Sequence, residues 1–101
     1  MFDFIKRIFG SGTDFKALRA KGAVIIDVRT PGEFMAGHLE DSVNIPLDSL
    51  KSQLPVLKKK SQPIITVCRS GARSGVAVTQ LKQAGIEAYN GGAWISLKQK
   101  I

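Results

Sequence analysis

Along the chain, short continuous apolar runs alternate with stretches whose apolar positions recur at helical spacing. Asp14 to Ala20 predicts a short helix capped by Thr13 or Asp14, with Phe15 and Leu18 inward and Lys21-Gly22 as its stop. Ala23 to Val28 is nearly all apolar and rich in β-branched residues, as expected for a strand buried on both faces. Thr30-Pro31-Gly32-Glu33 then matches a capping box with Pro at the first helical position, so the strand hands over to a helix ending near Gly37. Val43-Asn44-Ile45 predicts a short strand closed by Pro46. Leu47, Leu50, Leu54 and Leu57 predict a helix that Pro55 cuts late, and Lys58-Lys59-Lys60 reads as its solvated end. Pro63 leads into a second buried strand, Ile64 to Val67, ending at Cys68. Ser74 to Ala84 predicts a helix with Val76, Ala77, Leu81 and Ala84 on one face and Gly85 as its stop. Ile86 to Tyr89 predicts a last strand, Gly91-Gly92 a turn, and Ala93 to Lys100 a closing helix. Regular alternation of strand and helix implies an α/β sandwich with a mainly parallel sheet and right-handed crossovers.

At 101 residues and 44% apolar side chains, the chain is sized for one domain with a modest core. Residues 13–101 carry the α/β pattern, and residues 1–12 form an N-terminal segment and hinge. In that segment Phe2, Ile5 and Phe9 fall at helical spacing with Lys6 and Arg7 between them, followed by Gly10-Ser11-Gly12. The expectation is a short helix laid on the domain, with docking on a membrane surface or on a partner as the alternative. No apolar run approaches the ~18 residues of a membrane span, and no Ala-x-Ala cleavage site follows the start, so a signal peptide is not expected.

The formal charge of +7 favours anionic partners, whether small anions, acidic proteins or nucleic acid. Aromatic interleaving and groove-binding motifs are missing, and no nucleic-acid partner is expected. A lone cysteine, Cys68, excludes an internal disulfide, and the Cys/His pattern of a zinc site is not present. A reducing compartment, the cytoplasm, is expected, with neither metal nor cofactor.

Open α/β sheets bind ligands beyond the carboxyl ends of their strands, which is where this sequence concentrates its unusual polar residues. One such end carries Asp27 and Arg29, whose side chains leave the strand on the same side and can pair with each other or with Glu33 and His38. The other carries Cys68-Arg69-Ser70-Gly71-Ala72-Arg73-Ser74, running straight into a helix. A Gly-containing loop at a helix N-terminus can turn successive amides inward as an anion nest, and Cys68 sits at its base. With Arg69 and Arg73 adding positive charge, the nest favours the thiolate and makes Cys68 the candidate nucleophile.

Taken in order, Ile26-Asp27-Val28-Arg29, Glu33-Phe34, Gly37-His38-Leu39, Asn44-Ile45-Pro46, the Cys68-to-Ser74 loop and Gly91-Gly92-Ala93-Trp94 resemble the signature segments of single-domain rhodaneses, the thiosulfate sulfurtransferase family. The resemblance covers roughly residues 13–98. It implies a three-layer α/β/α sandwich with a four- or five-stranded sheet. It also implies that Cys68 alternates between thiolate and persulfide, taking sulfane sulfur from a small anionic donor such as thiosulfate and passing it to a thiol, cyanide or protein acceptor. Amides from Arg69 to Arg73, including those of Ser70, Gly71 and Ala72, would hold the persulfide, and the Arg69 and Arg73 side chains would guide the dianion. Ser70 and Ser74 would donate hydrogen bonds or cap the helix. Asp27, Arg29, His38 and Trp94 are expected to support the site rather than react, Trp94 as a core plug under the loop and His38 as a helix-end hydrogen bonder.

Three features depart from the family pattern. Asp41-Ser42 stands where Gly-Ala is common, the short strand usual before the leading helix is not evident, and a second cysteine is missing, so sulfur release needs an external thiol. Two other functions are compatible with these residues. One is a non-catalytic interaction module of the same family. The other is a relative of cysteine phosphatases and arsenate reductases, whose Cys-x5-Arg loops are one residue longer than the Cys-x4-Arg spacing of Cys68 to Arg73.

Overall fold

The computed structural model describes residues 12–101, so the amphipathic reading of residues 1–9 and its membrane alternative lie outside the described residues. The order of elements is α1 (Phe15–Ala20), β1 (Val24–Asp27), α2 (Pro31–Ala36), β2 (Val43–Asn44), α3 (Leu47–Lys60), β3 (Ile64–Cys68), α4 (Ala72–Gln83), β4 (Ala88–Ala93) and α5 (Trp94–Leu97). The four strands form one sheet in the order β2-β1-β3-β4, and every pairing is parallel. Of the four or five strands expected, four are present among the described residues.

Apolar side chains on the two faces of the sheet account for the layers. Ile26, Val28 and Ile64 point to one face, where Leu50 of α3 and Ala77 and Leu81 of α4 cover them. Ile25, Ile65 and Val67 point to the other, covered by Leu18 of α1, Leu39, and Leu97 of α5. β1 and β3 are therefore buried on both sides, which is why their sequences do not alternate. The chain leaves β1 for β2 on one side and returns to β3 on the other, so the strand order reverses between β1 and β3. A crevice opens at their carboxyl ends at such a switch point.

Several boundaries differ from the sequence expectation. α3 is not cut at Pro55 but runs for 14 residues to Lys60. Pro55 and Lys51 are both exposed, so the forfeited amide-to-carbonyl bond falls on the watery side of the helix. α4 starts at Ala72 rather than Ser74, because Gly71 adopts the left-handed conformation (φ 102°) that turns the chain from loop to helix. Gly91-Gly92 is not a turn after the last strand but lies within β4, which begins two residues later than expected. The pairs Thr66↔Asn90 and Cys68↔Ala93 show the cause, a bulge in which β4 takes one more step than β3. Gly91 is held flat on β3, since a Cβ there would stand 2.9 Å from both Ile65 Cγ2 and the Thr66 carbonyl oxygen. The closing helix α5 is also shorter than expected and ends at Leu97. Elsewhere local signals hold: Thr30 and Glu33 complete the capping box, Asp14 caps α1, and Asp41 takes a left-handed turn at φ 68°.

Candidate active site

Cys68 ends β3 at the switch point and is buried, 1% exposed, at the floor of the loop that leads into α4. Its Sγ accepts the Gly71 amide at 2.9 Å and the Ser74 amide at 3.5 Å, with the Ser74 Oγ at 3.4 Å. Burial pushes the Cys68 thiol up, but the Ser74 hydroxyl and the amides of Ser74, Gly71 and Ser70 outweigh it, and the thiol sits below its ordinary value. The thiolate is thus stabilised by the N-terminal turn of a 12-residue helix whose amides have no partners within the helix.

The two arginines of the loop occupy different situations. Arg69 is exposed. Arg73 reaches from α4 to α2, where Nη1 and Nη2 donate to Glu33 Oε1 and Oε2 at 2.7 and 3.0 Å. That hydrogen-bonded pair holds the Glu33 carboxyl down to about 2 and raises Arg73. Glu33 therefore serves twice, since its Oε1 also accepts the Thr30 amide of the capping box. The cap is legible in Thr30-Pro31-Gly32-Glu33, whereas the bridge joins residues 40 positions apart.

Of the two pairings left open for Asp27 and Arg29, the structure shows them bonded to each other. Arg29 Nε and Nη2 donate to the Asp27 carboxylate at 2.7–3.0 Å, and both residues are buried, 4% and 0% exposed. The guanidinium also donates to the carbonyls of Glu33 and Gly37 and lies 4.8 Å from the centre of the Trp94 ring. Trp94 is half-buried, packs against the Leu97 side of the core, and carries Arg29 on its face rather than Cys68. This assembly fixes the loop between β1 and α2, and with it Glu33. His38 is exposed, stacks on Phe34 at 3.7 Å and shares a hydrogen bond of 2.7 Å with the Phe34 carbonyl through Nδ1, which places it at the helix end.

Two supporting residues carry no mark in the sequence. Thr66 Oγ1 donates to the Ser74 carbonyl at 2.9 Å, tying β3 to the first turn of α4. Asn90 lies beside the bulge, where its Nδ2 donates to the Gly71 carbonyl at 3.0 Å and its Oδ1 accepts the Ser74 hydroxyl at 2.7 Å and the Gly92 amide at 2.8 Å. Among the described residues no group of three or more His, Cys, Asp or Glu side chains is placed to hold a metal ion. No described helix is long and apolar enough to cross a membrane.

Fold and site together define a class: an α/β protein with a buried free cysteine seated in an amide nest at the switch point of a parallel sheet. The chain belongs to the rhodanese-like domain family, whose sequence model matches residues 11–93. It is 37% identical over 91 residues to a Drosophila virilis protein named adenylyltransferase and sulfurtransferase, covering 78% of this chain and 20% of that one. It is 32% identical over 96 residues to a Schizosaccharomyces pombe protein provisionally named a mitochondrial thiosulfate sulfurtransferase, covering 80% and 67%. Among solved structures, a human single-domain sulfurtransferase superposes with a TM-score of 0.70 at 25% identity, over 86% of this chain and 91% of that one. Several curated relatives are longer proteins, and the chain spans 20–54% of their length.

Proposed function

We propose that this protein is a sulfurtransferase in which Cys68 carries sulfane sulfur between a small anionic donor and a thiol, cyanide or protein acceptor. The observation that carries the reading is the convergence of the Gly71 and Ser74 amides on Sγ itself. In the first half-reaction the Cys68 thiolate attacks the outer sulfur of thiosulfate. A new S–S bond forms, the old one breaks, and sulfite leaves with the electron pair. In the second, an acceptor thiolate or cyanide attacks the outer sulfur of the persulfide, and Cys68 leaves as thiolate. No oxidant or reductant is needed, and the nest stabilises the anion at the start and end of each cycle. Asp27 and Arg29, already satisfied by one another, position the surrounding loops and exchange no proton with substrate.

The short loop supports sulfur chemistry over phosphate hydrolysis. Amides already in contact with the nucleophile leave less room for a tetrahedral oxyanion than a Cys-x5-Arg loop does. Incubation with thiosulfate followed by intact mass measurement tests the proposal. One added sulfur, removable by a reducing thiol and missing in Cys68→Ser, is the expected result. A wild-type mass that never changes, with thiosulfate or with a persulfide donor, would identify a binding module instead.

A further inference from the structure

Asn90 makes three hydrogen bonds at the site, and together they determine how its amide is oriented. The Gly92 amide can bond only an oxygen, and the Gly71 carbonyl can bond only an N–H, so Oδ1 and Nδ2 cannot be exchanged. Oδ1 therefore faces Ser74 Oγ at 2.7 Å as an acceptor, and the proton of that bond can come only from the hydroxyl. Ser74 has a single hydroxyl proton. The same oxygen stands 3.4 Å from Cys68 Sγ, and it cannot give that proton to the sulfur while giving it to Asn90. With its hydroxyl donating to Asn90, Ser74 presents only lone pairs to Cys68, an arrangement that suits the S–H thiol and not the thiolate.

We propose that Asn90 is a positioning residue that competes with the Cys68 thiolate for the Ser74 hydroxyl proton and so sets how readily Cys68 ionises. When Cys68 is a thiol, its S–H donates to Ser74 Oγ, whose O–H donates in turn to Asn90 Oδ1. When it ionises, the hydroxyl turns to the sulfur, and Asn90 Oδ1 keeps the Gly92 amide. The inference rests on the sulfurtransferase reading only for its consequence. In the persulfide the inner sulfur is uncharged and a poor acceptor, so the hydroxyl returns to Asn90 and the loaded form is favoured over the bare thiolate.

Structure places Asn90 for this role. The bulge at Gly91-Gly92 turns β4 where it passes the loop, and Gly75 leaves space on α4, since a Cβ there would lie 3.3 Å from Asn90 Nδ2. The charged groups around Cys68 come from the end of β1, from α2, from α4 and from the loop between β3 and α4. Asp27 and Arg29 at the end of β1 neutralise each other, Glu33 of α2 pairs with Arg73 of α4, and Arg69 of the loop is exposed. None of them contacts Asn90 by a hydrogen bond, so its replacement leaves those pairs intact.

The test is the pH dependence of Cys68 alkylation by iodoacetamide, which reads one site because the chain has a single cysteine. Asn90→Ala frees the Ser74 proton for the sulfur and should lower the midpoint, giving about three- to tenfold more thiolate at pH values below it. A merely structural role predicts the opposite, because losing the bond to the Gly71 carbonyl loosens the loop whose amide supports the sulfur. In a Ser74→Ala background the Asn90→Ala shift should vanish. Asn90→Asp keeps the acceptor, adds negative charge and should raise the midpoint. An unchanged or raised midpoint in Asn90→Ala, or the same downward shift without the Ser74 hydroxyl, overturns the proposal. Alkylation needs no sulfur donor, so a protein that never forms a persulfide fails the functional reading and still reports on Asn90.

Discussion

Arg73 and Glu33, 40 positions apart in the chain, meet across the mouth of the cysteine loop as a two-pronged ion pair with both N–O distances at or below 3.0 Å. The pair clamps the first turn of α4 to α2. It also occupies one of the two cations that could draw in a dianion.

Arg69 should therefore carry the electrostatic steering. Arg69→Ala is expected to raise KM for thiosulfate by roughly two- to fivefold at low salt and to flatten its dependence on ionic strength, because an exposed charge is screened within about 10 Å at 0.1 M salt. Arg73→Lys keeps the charge but cannot hold both carboxylate oxygens, and it should lower kcat more than it changes the salt profile. Steady-state kinetics across a salt series separates the two effects.

The same pair sets a pH window for stability. Glu33 falls from an ordinary 4.5 to about 2 in the folded protein, so its contribution is complete above 4.5 and is lost as pH falls through about 2. Urea denaturation of the wild type and Glu33→Gln should show a gap that is constant from neutral pH to about 5 and narrows below 4.5. A gap that does not change across that range would mean that Glu33 acts only through its packing.

Cys68 gives a window of the same sign. Its native value lies below the ordinary 9.0, so between the two the unfolded chain binds a proton that the folded chain does not. Stability should rise with pH over that interval and level off above it. Cys68→Ala should remove the rise, and thermal melts recorded across the interval provide the measurement.

Truncating Arg29 strands a buried charge beside the site. Arg29→Met leaves the Asp27 carboxylate, 0% exposed, without its ion partner and should cost about 3–5 kcal/mol in urea unfolding. Replacing both residues by apolar ones of similar volume should cost less than this single change, which would assign the penalty to the orphaned charge.

Gly91→Ala tests the bulge that places Asn90. A methyl group 2.9 Å from Ile65 Cγ2 and from the Thr66 carbonyl must push β4 off β3, and a loss of about 1–3 kcal/mol with slower sulfur transfer is expected. Gly92→Ala meets no neighbouring atom but must hold φ at 77°, so its cost is conformational alone.

By itself the sequence determined whatever depends on neighbours within a few positions. Thr30 pairs with Glu33 three residues on to cap a helix, Ile64 to Val67 reads as a doubly buried strand ending at Cys68, and Gly71 three residues after Cys68 places an amide on the sulfur, because each is a matter of local geometry. Tertiary structure decided what the parallel register brings together from distant positions. It put Glu33 against Arg73, Asn90 against Ser74, and the face of Trp94 against Arg29. It also carried α3 through Pro55, where an exposed position tolerates a missing hydrogen bond, and drew Gly91-Gly92 into β4, where only glycine fits beneath Ile65 and Val67. An asparagine before two glycines reads as a turn from its neighbours alone. Only the bulge, formed against a strand more than twenty residues earlier, makes it a partner of the serine that faces Cys68.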